Sequence, residues 1–239
     1  MAEVRIKNHA MLFAFLVRQT LNHCGEAGKA AVQQGVIHYG EQRGRRMAQR
    51  AQQDGMPLDT ASYLLYGEWQ AAPGETNSQV TYQPRVEMVS PICPWFQTWR
   101  DAGMLAEGAY YCHDVDAALA RGFGGLDMRL DSNLTLGDAT CHFHFEGAGI
   151  DAEKQEEMHQ HAARLGKRAK MDWAYHTAHL LAAMRGVIIA ACGKDGETAV
   201  HAALADYAAM FGAEERDRLL RDAAADFDKL PPYEGVINS

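Results

Sequence analysis

Residues 8–44 and 176–212 align without a gap at an offset of 168, and ten of the 37 paired positions are identical. Leu12/Leu180, Cys24/Cys192, Gly25/Gly193, Gly28/Gly196, Val32/Val200, Tyr39/Tyr207 and Gly44/Gly212 are among them. Alanine richness adds to the count, but the paired Cys-Gly-x-x-Gly turns owe nothing to alanine. Each copy reads as helix, tight turn, helix, with glycine ending the first helix. Helical hairpins near both ends confine any sheet to the middle of the chain. The repeat also bears on "AMLFAFLV" (10–17), an apolar run behind Arg5 and Lys7. Glu3 lies upstream, Arg18 follows at once, and no small-residue cleavage site appears, so the run reads as half of a hairpin and not as a signal peptide. It is also too short to span a bilayer.

Between the copies the apolar period changes. Residues 57–66 read as a short helix with a proline start. Residues 79–90 alternate and read as one strand, with Pro84 marking an edge or bulge. Residues 96–103 and 110–123 read as helices, and 126–147 as two strands joined near Gly137 and Asp138. Residues 151–191 read as one long helix or two abutting at Gly166, and 213–228 as a last helix. The expectation is an α+β fold, a small antiparallel sheet in mid-chain covered by helices from both termini. It is read as one domain: a helical part over 8–67, a sheet region over 79–147 and a helical part over 151–228.

The net charge of −8 and the pI near 5.7 argue against nucleic acid, which needs a concentrated basic surface. The basic run Arg43, Arg45, Arg46, Arg50 reads as a solvated helix face. Five cysteines without a C-x-x-C spacing argue against a secreted disulfide framework and for reduced thiols in the cytoplasm.

"TCHFHFEG" (140–147) has two faces. Alternation puts Cys141, Phe143 and Phe145 on the packed side and His142, His144 and Glu146 on the wetter side. An H-x-H strand can hold zinc with a third ligand and shelter; polar residues on an outer face is the preferred reading. Cys93, Cys112 and Cys141 fall in the central region, and Asp116 follows Cys112 by one helical turn. A carboxylate does not activate a neighbouring thiol, because its charge raises the thiol pKa. The pair makes sense around a cation or with the aspartate moving protons. His176 and His179 share a helix face, and Asp172 is four residues before His176, in register to orient it.

"CPW" (93–95), "YYCHDVDAALARGF" (110–123), "LTLGDATCHFHF" (134–145), "DWAYHTAHL" (172–180) and "YGEQRGRRMAQRA" (39–51) together resemble the L-2-amino-thiazoline-4-carboxylate hydrolase family. The resemblance covers roughly residues 8–228, and Cys112, Asp116 and Cys141 fall on its pattern. It implies a hydrolase that opens a small five-membered ring, an amidine carrying a carboxylate, of thiazoline, hydantoin or thiohydantoin type. The expected catalytic residues are Cys112, Asp116, His176 and His179. Arg45, Arg46, Trp95 and Tyr111 are expected to bind the substrate, an arginine holding its carboxylate. Attack on the ring carbon is expected from the Cys112 thiolate or from water on zinc, with Cys112, Cys141, His176 and His179 as the zinc ligands. The Gly-Asp-x-x-Cys-x-Phe strand is also similar to small-molecule-binding domains of the V4R group, which would bind without turnover. The expected partner is a small-molecule substrate, with neither nucleic acid nor membrane. A homo-oligomer is expected from the apolar, alanine-rich helix faces.

Overall fold

The computed structural model describes residues 3–72 and 74–231. Its order is α1 (Ile6–Gln53), α2 (Thr60–Leu65), β1 (Gln79–Thr81), β2 (Glu87–Ser90), α3 (Pro94–Asp101), α4 (Leu105–Gly124), β3 (Met128–Ser132), β4 (Cys141–Phe145), α5 (Ala152–Leu165), α6 (Trp173–Cys192), α7 (Lys194–Phe211) and α8 (Ala213–Asp222). The fold is α+β, mostly helical, with a four-stranded antiparallel sheet in the order β1-β2-β4-β3. No helix among the described residues is long and apolar enough to cross a membrane.

Contacts sort the chain into two compact units. The first holds the chain up to Tyr39, Pro94–Val115 and Trp173–Asp226; the second holds Gly40–Cys93, Asp116–Asp172 and the chain from Phe227 on.

The first unit carries the repeat. α1 turns a corner at Gly25, with φ 54 and ψ −130. Gly193, which separates α6 from α7, takes nearly the same conformation, φ 57 and ψ −128. Side chains rarely tolerate such a φ, so both corners require glycine. The matched glycines one turn on serve close packing. A Cβ on Gly28 would stand 2.7 Å from the Thr20 carbonyl oxygen, and one on Gly196 would stand 2.6 Å from that of Ile188. Each copy is thus helix, glycine corner, helix, built the same way.

The second unit carries the sheet. The single strand expected over 79–90 is instead the hairpin β1–β2, turned around the cis Gln83–Pro84 bond. Both arms alternate, so the pattern alone could not show where the chain reversed. In β4, Cys141, Phe143 and Phe145 are buried as expected. Tyr63 of α2 caps this face, its ring 5.4 Å from Phe145 and 5.6 Å from Phe123 of α4. α2 itself is set by Asp59, whose carboxylate accepts the Ser62 N–H at 2.8 Å. The opposite face is less wet than expected. His144 is buried, with polar neighbours at both ring nitrogens. Its Nδ1 meets Asp131 at 2.7 Å and its Nε2 meets Glu146 at 3.0 Å.

Candidate active site

The first unit holds a buried network of aromatic and imidazole rings. His9 Nδ1 accepts the Trp95 indole N–H at 3.1 Å, and His9 Nε2 lies 3.0 Å from the Tyr39 hydroxyl. Because Nδ1 is an acceptor, a neutral His9 carries its proton on Nε2 and donates it to Tyr39. Tyr39 also packs on His179 at 4.7 Å between ring centroids. Tyr111 stacks on Trp95 and meets His9 edge-on at 5.7 Å, while Trp173 joins His9, Trp95 and His176. The structure therefore brings Trp95, Tyr111, His176 and His179 together, all buried, around the unexpected pair His9 and Tyr39. Cys112 follows Tyr111 on α4 and is half-buried. α6 begins at Trp173, so Asp172 lies just ahead of its first turn.

The second unit holds a different cluster, assembled from five segments. Glycine packing brings α1 and α4 together here: a Cβ on Gly44 would strike the Leu119 carbonyl oxygen, and one on Gly122 would strike that of Glu41. This close crossing sets Arg43 near Asp116. Asp116 keeps some accessible surface, yet its carboxyl is crowded by protein. Burial raises its pKa from 3.8 to about 6, against the opposing Arg43 charge. The same carboxylate acts on the buried Tyr63 hydroxyl, whose pKa is raised first by burial and then by Asp116. It also acts on Cys141. That thiol is pushed up to about 11, chiefly by burial, although the Leu134 N–H points at its sulfur from 3.5 Å; the Cys93 and Asp116 charges add to the rise. Asp116, Arg43, Tyr63, Cys93 and Cys141 thus share one electrostatic neighbourhood.

The arginine run is not a solvated face. Arg43, Arg46 and Arg50 are buried, and only Arg45 is exposed, 3.8 Å from Glu41. Their spacing of three and four residues is a helix stripe, and its members Arg43 and Arg46 meet Glu68. Arg46 grips that carboxylate with Nε at 2.9 Å and Nη2 at 2.7 Å, and donates from Nη1 to the Phe227 carbonyl oxygen at 3.1 Å. Arg43 adds a contact at 3.4 Å and lies over the Trp69 ring at 4.4 Å. Burial alone would raise the Glu68 carboxyl; the charges and hydrogen bonds of Arg46 and Arg43 outweigh it and hold the pKa below 4.5. A substrate carboxylate could reach Arg46 only by displacing Glu68.

Against known proteins, residues 5–145 match the family described as L-2-amino-thiazoline-4-carboxylic acid hydrolase. The chain belongs to that family. No curated protein and no solved structure matches it. The matched span of this thiazoline hydrolase family member contains the whole second-unit cluster, Arg43, Tyr63, Cys93, Asp116 and Cys141, and stops short of His176 and His179. Among the described residues, no three His, Cys, Asp or Glu side chains are placed to hold a metal ion. Of the expected zinc ligands, Cys112, His176 and His179 belong to the first unit and Cys141 to the second.

Arg43 and Tyr63 were invisible as site residues because they reach the cluster from separate segments, Arg43 from a run whose charge masked its spacing. Cys93 was visible only as one thiol among several.

Proposed function

We propose that this family member opens a small five-membered cyclic amidine bearing a carboxylate, of the 2-amino-thiazoline class, at the second-unit cluster around Asp116. Water is the nucleophile. The observation that carries this reading is the Asp116 carboxyl, raised to about 6 by burial against the Arg43 charge, in the same electrostatic neighbourhood as the Cys93 and Cys141 thiols. At neutral pH such a group is mostly ionised, yet basic enough to take a proton. It accepts one from water as oxygen bonds to the ring carbon between nitrogen and sulfur. The ring C=N electron pair moves to the ring nitrogen; as the adduct's C=O forms and its carbon–sulfur bond breaks, the hydroxyl proton ends on that nitrogen and the proton held by Asp116 passes to the departing sulfur. Water is consumed, and the product is an N-carbamoyl amino acid with a free thiol.

Cys141, pushed up to about 11, stays protonated at neutral pH. It serves as a soft wall and weak donor, not as the attacking thiolate. Arg43 keeps Asp116 ionised and offers positive charge toward the substrate. Arg45, the exposed member of the run, remains available to a substrate carboxylate. Cys112, His176, His179, Trp95 and Tyr111 stay outside this reading, in the first unit.

The test is thiol release from 2-amino-thiazoline-4-carboxylic acid by the purified chain and its variants. Asp116→Asn is expected to lose activity by about 100-fold or more, while Cys112→Ala keeps most of it. Full activity in Asp116→Asn sinks the assignment. Loss in Cys112→Ala alone returns the chemistry to that thiol, and binding without turnover by the parent chain points to the non-catalytic domain.

A further inference from the structure

Asn133 carries a buried donor that the hydrolase reading does not use. It follows β3 and caps a one-turn 3-10 helix, Leu134–Leu136. Its own N–H donates to Asp138 Oδ2 at 2.7 Å, and its carbonyl oxygen accepts the Leu136 N–H at 3.0 Å. Its Oδ1 accepts twice from Thr135, from the backbone N–H at 2.9 Å and from the hydroxyl at 2.8 Å. A backbone N–H can only donate, so the atom facing it is the carboxamide oxygen and the other end is the NH2 group. That Nδ2 has no acceptor among the described residues, although Asn133 is only 2% exposed. A buried donor left unmet is destabilising. Aspartate or serine would cap the turn as well without burying one.

Asn133 stands on the Cys141 side of the Asp116 cluster. The Leu134 N–H points at Cys141 Sγ from 3.5 Å, and the Ser132 hydroxyl donates to the Thr140 carbonyl oxygen at 2.8 Å. The segment is thereby pinned to the start of β4. Cys141 shares the packed face of the sheet with Phe145, whose ring meets Tyr63 at 5.4 Å, and Tyr63 meets Phe123 of α4 at 5.6 Å. Asp116 lies two helical turns before Phe123 on the same face of α4. Cys141 lies two pleats before Phe145 on the same face of β4. The two faces that carry Asp116 and Cys141 are thus joined through Tyr63, and the Asp116 charge is felt at the Cys141 thiol.

We propose that Asn133 is a substrate-binding residue whose Nδ2 group donates to the carboxylate of the cyclic amidine acid. The inference rests on the hydrolase reading of the Asp116 cluster and names the group that orients its substrate. The choice of acceptor follows from complementarity. On a 2-amino-thiazoline carboxylate the exocyclic amino group donates, the ring sulfur accepts weakly, and the carboxylate is the strongest acceptor. A group that only donates pairs with that carboxylate, while Asp116 serves the amidine end, where water attacks. Away from bulk water such a bond is stronger than in solution. Exposed Arg45 can draw the anion in from solvent, whereas a buried carboxamide fixes its orientation. The carboxylate passes through the reaction unchanged, so the contact lowers KM and leaves kcat alone.

The experiment follows thiol release and calorimetric binding by the full chain with two probes, 2-amino-thiazoline-4-carboxylic acid and 2-amino-thiazoline, which lacks the carboxylate. Asn133→Ser and Asn133→Asp keep a capping oxygen and should melt close to the parent. Each should weaken binding of the acid and raise its KM about tenfold or more, with kcat and its pH profile unchanged. Binding of 2-amino-thiazoline should stay within about twofold of the parent. The same loss for the acid should appear when Asn133→Ser is placed in the Asp116→Asn chain. Equal losses for the two probes, a fall in kcat at constant KM, unchanged binding, or collapse of the fold in both variants would overturn the assignment. So would a parent chain that binds the acid no better than 2-amino-thiazoline. Retained turnover in Asp116→Asn would strike the Asp116 reading without moving any of these binding ratios.

Discussion

Replacing Asp116 by asparagine should stabilise the fold while it removes activity. A carboxyl whose pKa climbs from 3.8 to about 6 is easier to protonate in the native state than in the unfolded chain. Holding its charge in the fold above pH 6 then costs about 3 kcal/mol. Asp116 is not wholly shut off from water, so a realistic gain from the neutral isostere is about 1 to 3 kcal/mol. For a chain of this length that shifts the melting temperature by about 2 to 6 °C. The sign follows from linkage. Between 3.8 and about 6 the native state binds more protons than the unfolded one, so parent stability falls as pH rises through that window. Below 3.8 the carboxyl is neutral in both states, and parent and variant should converge. Guanidinium denaturation at a series of pH values from 3.5 to 8 reads both effects, the numbers being about those of the two pKa values. If Asp116→Asn is less stable than the parent at pH 8 and shows the same slope between pH 4 and 6, the carboxyl is not held ionised at a cost, and the reasoning fails.

The activity itself should fall as pH drops below about 6, following protonation of Asp116; a thiol-release profile flat down to pH 5 would remove Asp116 from the chemistry. Glu68→Ala leaves two buried guanidiniums without their carboxylate and should cost about 3 to 5 kcal/mol, read as lost soluble yield or a collapsed melting temperature. Because its pKa is held below 4.5, the Glu68 contribution is present above that value and fades as pH falls through the lower native pKa. Gly25→Ala and Gly193→Ala should each destabilise by about 1 to 2 kcal/mol in matched denaturant titrations, since both corners demand the same left-handed φ; unequal costs would deny the structural repeat. The His144 imidazole should titrate above 6.5 by NMR, raised by its hydrogen bond to Glu146 and then by Asp131. Both ring nitrogens face carboxylates, which only the protonated form satisfies, so its contribution is present below 6.5 and is lost as pH rises through the higher native value.

Local signals carried most of the fold. Paired Cys-Gly-x-x-Gly turns foretold two like-built corners, Gly166 foretold the break between α5 and α6, and the alternation of 140–147 foretold which face of β4 packs. What failed was whatever depends on a partner far along the chain. The hairpin of β1 and β2 looks like one strand in sequence because alternation is blind to chain direction, and only pairing distinguishes a bulge from a reversal. Charge taken without its spacing makes the arginines look like a solvated face. The spacing of Arg43, Arg46 and Arg50 was a stripe, and a charged stripe that faces inward requires a buried counter-charge. For Arg43 and Arg46 that counter-charge is Glu68, from a segment with no motif of its own. The same limit governs the candidate site. Asp116 and Cys141 stood out in the sequence, but the rise in the Asp116 pKa depends on desolvation, which a linear reading cannot supply. A carboxyl buried with a guanidinium nearby but outside an ion pair as close as that of Glu68 and Arg46 is costly to keep charged. Folding alone gives no reason for a carboxylate at this position, since a neutral isostere would serve better, and that cost is the physical argument for the proposal that Asp116 transfers a proton.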